Sequence, residues 1–272
     1  MGDFLARLFN NQWALGFVAT VVLLTLAEVG HRLGHRLNVA KDEARRHQVV
    51  IVQNAVLALL GLLLGFTFSM AVARYDARRA LVLKEANVIG TAWLRASLLS
   101  DAHRQPIREL LREYVDVRLR AQTELRNHVQ LTDELRRSEE IQSLLWQHAE
   151  RAAAEAPTPI TATFVETLND LIDTDGERLE GWRNRIPAGV WLILLVVASV
   201  GCFTSAYVSG AFAVRSPFTS LVLPLLVSIV MLLIFDLTHE RQGIVGMSQQ
   251  SMIDLQRAIH SENGASDRSR PH

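Results

Sequence analysis

A single cysteine, Cys202, stands in 272 residues, so neither a disulfide framework nor a cysteine-based zinc cluster can be built. Net charge is also missing, with 28 Lys+Arg against 28 Asp+Glu. A balanced chain gives no electrostatic reason to expect a nucleic-acid partner, and none is expected. Alternating β-branched runs are absent, which argues against a sheet, and no internal repeat recurs at a solenoid period. Catalytic constellations are lacking too. His31 and His35 stand four apart, as ligands on one helix face would, but no glutamate lies between them in an HExxH pattern and no third ligand is placed. A basic loop at the lipid headgroups explains them better. Gly61, Gly65 and Gly90 make no phosphate cradle, and Cys202 lies inside an apolar run, where packing is the expected role. With no nucleophile, base or metal set in view, an enzyme is not expected, nor any catalytic residue, metal or cofactor.

Charge is nearly absent from four stretches, each close to the 20 or so apolar residues that cross a hydrocarbon core about 30 Å thick. They are residues 13–30, 49–73, 188–212 and 217–235. The second has no charged residue, and Pro224 in the fourth predicts a kink. The first is expected to be a retained span. Its leader MGDFLARLFNNQ carries one basic and one acidic residue, and Glu28-Val29-Gly30-His31-Arg32 follows in place of a small-x-small cleavage pattern.

Residues 76–185 hold 16 Lys+Arg and 19 Asp+Glu, with apolar residues at helical spacing. Residues 76–99 continue the second span as one long helix. Ser100 or Asp101 caps the next, with Pro106 in its first turns. A third, near residues 133–155, carries Ile141, Leu144, Leu145 and Ala149 on one face and breaks at Pro157 and Pro159. A fourth starts near Thr161, with Phe164, Leu168, Leu171 and Ile172 in phase, and runs toward Ile186. A mixed-sign helical surface of this kind reads as solvated. Residues 236–272 form a polar C-terminal segment with one short helical pattern at Met252, Leu255 and Ile259. Its end, from Ser261, has the composition of a disordered tail. The expected architecture is all-α: a four-span integral membrane protein with a charged helical bundle between spans two and three.

The longest motif is LLGLLLGFTFSMAVARYDARRALVLKEANVIGTAWLR, residues 59–95. It resembles a bacterial family of membrane proteins labelled bestrophin-like. Their hallmark is a Leu-Gly-rich second span, an Arg-x-Asp-x-Arg-Arg stretch, and then a Glu-Ala-Asn, Ile-Gly-Thr and Leu-Arg segment. Here these are Arg74, Asp76, Arg78 and Arg79, then Glu85, Asn87, Gly90, Thr91 and Arg95. LLREYVDVRL (110–119), FVETLNDLID (164–173) and FDLTHERQGIVGMSQQSMIDL (235–255, with Asp236) are similar to the same family, so the likeness covers nearly the whole chain. Residues 66–79 also echo the Phe-to-Ala-Arg-Arg spacing of bestrophins proper, shifted by one residue in the aromatic-acidic part and lacking a charge after the Phe. The resemblance implies four spans, both termini and the helical block in the cytoplasm of a bacterial inner-membrane protein, and a homo-oligomeric ring around the second spans that conducts chloride or other small anions.

On span two, Leu59, Leu62, Phe66 and Met70 share a stripe that could form a hydrophobic constriction, or pack against lipid and neighbouring helices. Arg74, Arg78 and Arg79 at its exit would make a positive vestibule in a ring, or snorkel with Asp76 or Glu85 as partners. Gln53, Asn54, Thr67 and Ser69 are polar groups at membrane depth that need partners. Glu28 and Asp236, at span ends, are expected to be hydrated. His239 and Glu240 beside Asp236 could form an acidic-histidine cluster sensitive to pH. Charge bias does not fix orientation. Arg32, Arg36, Lys41, Arg45 and Arg46, with Arg215 on the same side, argue for a cytoplasmic first loop. Against them stand Arg7, Arg74, Arg78, Arg79, Lys84, Arg183, Arg185 and Arg241. A non-conducting scaffold or sensor whose helical block docks a protein partner is the alternative function.

Overall fold

A computed structural model describes residues 12–37, 43–123, 128–183, 186–212, 218–238 and 248–268. Within them lie eight α-helices and no strand: α1 (Gln12–Leu37), α2 (Glu43–Ala96), α3 (Asp101–Thr123), α4 (His128–Glu155), α5 (Pro159–Arg183), α6 (Ala188–Ala211), α7 (Leu223–Thr238) and α8 (Gln250–Arg268). α2 is the continuous helix that the long charged extension of span two predicts. Its 54 residues make a rod of roughly 80 Å at 1.5 Å per residue. The chain divides into two compact units, one of Met1–Tyr75 with Arg185–Val245, the other of Asp76–Asn184 with Gly246–His272.

The first unit holds the four helices long and apolar enough to cross a membrane: Gly16–Arg36, His47–Ala96 (whose second half continues into the other unit), Ala188–Ala211 and Ser220–Thr238. Lipid removes the hydrophobic drive for helices to associate, so close packing must replace it, and glycine permits the closest approach. α1 and α6 use it from both sides. A Cβ on Gly30 would lie 2.5 Å from Phe203 O, one on Gly34 2.1 Å from Tyr207 O, and one on Gly210 2.1 Å from His31 O. Leu23, Leu60, Leu194, Ala198, Cys202, Val227 and Met231 form one apolar cluster beside this seam. Ala71, Ile186, Ile234 and Leu237 form another, with Trp191 set edge-on to Phe235 at 5.7 Å.

Four features of this unit refine the sequence reading. Gln53 donates a hydrogen bond to Ser205 Oγ at 2.9 Å, joining α2 to α6. Such intramembrane bonds are worth about 0.6 kcal/mol on average. Gln53→Leu is therefore expected to lower unfolding free energy in mixed micelles by about that amount, because Ser205 can turn its hydroxyl to its own helix. The kink expected at Pro224 takes the form of a π-helical turn, Phe218–Val222, that ends just before α7. Pro224 is the second residue of α7, directly after that turn, and having no N–H it can return no bond to the π-helical carbonyls before it. Asp236, expected to be hydrated at a span end, is instead 3% exposed within α7, where it has an interaction partner in the chain. Glu28 pairs with Arg32 one turn on in its own helix, at 2.7 Å.

The second unit is a helical bundle with apolar stripes turned inward. Ile89 and Trp93 of α2, Ile107, Leu111 and Tyr114 of α3, Ile141 and Leu145 of α4, Phe164, Leu168 and Leu171 of α5, and Met252 and Ile259 of α8 share one core. α5 starts two residues earlier than expected, because Pro159 suits a first helical position and Thr158 caps the turn: Thr161 N donates to Thr158 Oγ1 at 3.3 Å. α8 extends to Arg268, through most of the tail whose composition reads as disordered, since a helix already nucleated at Gln250 adds residues cheaply. It is tied to α3 by a hydrogen bond from Gln256 Nε2 to Asp116 Oδ1 at 2.6 Å.

Candidate functional site

Burial divides α2 lengthwise. At about 100° per residue, Leu60, Thr67, Ala71, Arg78, Val82, Glu85, Ile89, Ala92 and Ala96 fall on one side, and all are buried. The opposite side is exposed in an unbroken line: Ile51, Ala55, Ala58, Leu62, Gly65, Ser69, Ala73, Asp76, Ala80, Leu83, Asn87, Thr91 and Leu94. Of the stripe read from sequence, Leu59, Leu62 and Phe66 lie on or beside this face, 47%, 55% and 65% exposed, and Met70 sits half-buried at its edge. Between them runs a row of small residues that the sequence reading did not single out. Gly61, Gly65, Ser69, Ala73 and Ala77 stand four apart and all are exposed. A Cβ on Gly61 or Gly65 would meet nothing within 4 Å. Regular small-x-x-x-small spacing was the signal available for it. Asn54 is also exposed, while Thr67 is buried and donates to Leu63 O.

The three arginines at the end of this stretch point in different directions. Arg79 is exposed, Arg74 is half-buried, and Arg78 is buried with its stem beside Gly181 of α5. Arg74 and Arg78 each have an interaction partner within the chain. Among the family-motif residues, Asp76, Asn87 and Thr91 face outward, and Thr91 Oγ1 donates to Asn87 O. Gly90 makes room for Leu255 of α8. Arg95 reaches α5, donating to Thr163 O at 2.7 Å and to the Thr167 hydroxyl.

Glu85 has the least expected surroundings. Its side chain is fully buried between two guanidiniums, Arg118 of α3, with Nε 2.7 Å from Oε1, and Arg178 of α5, on Oε2. Arg118 also holds Asp175 Oδ1 at 2.7 Å. Gln142 of α4 donates to Asp175 Oδ2 at 2.8 Å and to Tyr114 OH at 3.1 Å. Burial opposes the Arg118 charge, but Glu85, followed by Tyr114 and Asp175, outweighs it and holds the guanidinium above its ordinary range. Burial likewise pushes the Tyr114 hydroxyl well up, against the pull of Arg118. Two arginines and two carboxylates thus balance inside the bundle. The surface reading of the block's charges fails here, because the partners stand 33 and 93 residues from Glu85 and no local spacing reveals them. Among the described residues no group of three or more His, Cys, Asp or Glu side chains is placed to hold a metal. His239 and Glu240 lie outside the described residues, as do Lys41, Arg185 and Arg241.

Comparison with known proteins agrees with this architecture. A bacterial bestrophin homologue from Klebsiella pneumoniae, solved as a point mutant, is 13% identical with a TM-score of 0.67, covering 93% of this chain and 98% of that one. Another mutant of a Klebsiella pneumoniae homologue is 15% identical with a TM-score of 0.66, covering 92% and 99%. A crystal structure described as a membrane protein is 14% identical at a TM-score of 0.67, covering 92% and 98%. At such identities the likeness carries the fold. No curated protein matches the chain. A family model, the Bestrophin-like domain, matches residues 16–252. With four membrane-length helices, an all-helical architecture and that match over most of its length, this chain belongs to the Bestrophin-like family.

Proposed function

We propose that the protein is one subunit of a homo-oligomeric membrane channel, a ring in which copies of the exposed α2 face surround a pore. The main support is that face itself. It stays exposed without a break from Ile51 to Leu94, while every buried residue of the same helix from Leu60 to Ala96 lies away from that line. Apolar residues at Leu59, Leu62 and Phe66 would narrow such a pore and oppose ion passage by dewetting, while the small residues between them would let neighbouring helices approach. Arg79 is the arginine of the three left exposed, and repeated around a ring it would attract chloride or similar small anions. Conduction requires no bond-making chemistry, so the absence of a nucleophile, base and cofactor pattern in the sequence fits this role. The second unit is assigned to the cytoplasm of a bacterial inner-membrane protein. That side is the one the likeness to bestrophins implies, since charge bias by itself does not fix the orientation.

Recording purified protein in planar bilayers tests the assignment. Discrete unitary currents are expected, with a reversal potential shifted toward chloride in a salt gradient. Phe66→Ala should raise unitary conductance several-fold by removing the widest exposed ring side chain, and Leu62→Ala should do so less strongly. Silence at all voltages and pH values would sink the channel assignment. A reversal potential shifted toward the cation would remove the role given to Arg79. A cysteine placed in the first loop and another in the second unit, probed on whole cells with an impermeant reagent, reads the orientation.

A further inference from the structure

Apart from the Glu85 cluster, the described residues include a chain of histidine and glutamate side chains that joins α3 to α4. His103, in the first turn of α3, is 5% exposed, and both its ring nitrogens are engaged. Nε2 lies 3.0 Å from Glu155 Oε2, at the end of α4. Nδ1 lies 3.4 Å from Nδ1 of His148, two turns earlier on α4, with the rings edge-to-face at 5.7 Å. An ionised carboxylate can only accept, so the His103 proton belongs on Nε2. Nδ1 of His103 is then a lone pair, and His148 Nδ1 supplies the proton between the two rings. One hydrogen fits that gap and two do not.

Neighbouring charges sharpen this limit. Arg151, one turn beyond His148 on α4, is cationic. Asp101 at the start of α3 is engaged by Arg104 at 2.8 Å, and Arg104 also donates to Leu99 O. The turn into α5 brings Thr158 and Thr161, which bond one another and Ala156 O. Among the described residues Glu155 is therefore the carboxylate that meets the histidine pair directly.

We propose that His148, His103 and Glu155 form an acid-released latch between the first turn of α3 and the last turns of α4. The pair accepts one extra proton without breaking. That proton makes one ring an imidazolium, and a single hydrogen still bridges the two Nδ1 atoms. A second proton sets N–H against N–H at 3.4 Å and places two imidazoliums beside Arg151, so His148 must swing away. Burial first, then His103 and Arg151, hold the His148 imidazole below its ordinary value of 6.5. That depression opposes the second proton, so the contact is intact above 6.5 and is lost only as pH falls through the depressed value below it, where both rings carry charge. This device is independent of whether the chain conducts.

Hydrogen exchange of the full-length protein in nanodiscs at pH 7.5 and pH 5.0, corrected for intrinsic rates, tests it. Protection of the amides of residues 148–156 is expected to fall at least tenfold at pH 5.0, while the core amides of residues 164–171 keep theirs. In His148→Gln, a half-exposed position that tolerates the change, the protection at 148–156 should be the same at both pH values. In Arg151→Gln the loss should begin at higher pH, because one repelling charge has gone. Equal protection of the wild type at both pH values, or an undiminished acid loss in His148→Gln, overturns the latch.

Discussion

Glu85→Gln is expected to cost about 3–5 kcal/mol, the penalty of leaving a buried guanidinium without its counter-charge. In the native protein Arg118 and Arg178 both rest on this fully buried carboxylate, and Asp175 balances the remaining positive charge through Arg118. Glutamine keeps the shape and removes the charge, so one cation stays in the core with no anion. At about 2–4 °C per kcal/mol for a protein of this size, the midpoint of thermal unfolding in detergent should drop by roughly 10 °C. Two comparisons identify the cause. Lys84→Met breaks the neighbouring ion pair to Glu177, in which both partners are about half exposed, and should cost less than about 1 kcal/mol. Glu85→Gln combined with Arg178→Met restores neutrality and should lose less than the sum of the two single changes. A Glu85→Gln protein within about 1 kcal/mol of wild type would show that the cluster is open to water and that the argument from burial fails.

Gly34→Ala should damage the membrane unit comparably, and the sign of the effect is what makes it informative. In an exposed helix interior, alanine in place of glycine stabilises by about 0.5–1 kcal/mol, because glycine loses more backbone freedom on folding. Gly176, exposed in α5 with nothing within 4 Å of its would-be Cβ, should behave that way. At Gly34 the added methyl would sit 2.1 Å from Tyr207 O and 2.9 Å from Ala211 N, both backbone atoms, so no rotamer change relieves it. Gly210 meets His31 O at the same 2.1 Å from the opposite helix. α1 and α6 can admit either methyl only by moving apart and loosening the whole seam. A loss of about 3 kcal/mol or more is expected for each, at or beyond the upper end of ordinary overpacking. Unfolding in mixed micelles, with Gly176→Ala in parallel, measures it. If Gly34→Ala and Gly176→Ala shift stability in the same direction, the close approach of α1 and α6 is not what holds this unit together.

Much of this architecture can be read from the sequence because lipid imposes a simple rule. Apolar runs of sufficient length mark the spans, and an unbroken helical phase from Val49 onward marks the rod of α2. What escapes the sequence is pairing over distance. Arg118 and Arg178 look like ordinary members of a solvated face until the fold brings them to Glu85. His103 and His148 stand 45 residues apart, with nothing between them to suggest contact. The seam is an intermediate case. Gly30 and Gly34 have the four-residue spacing of a close-packing motif, but their partner Gly210 could be named only from the structure. On α2 the bulky stripe and the small row beside it both have regular spacing in the sequence, but which side of the helix stays exposed follows from how the other helices pack on it.

The seam between α1 and α6 also sets an order of events at the ribosome. Positions 34 and 210 are 176 residues apart, so α1 enters the bilayer long before its partner has been translated. At about 5–20 residues per second, that interval is roughly 10 to 35 s. Throughout it the glycine groove of the first span faces lipid or the insertion machinery, and residues 76–184 of the second unit are synthesised while the first is still incomplete.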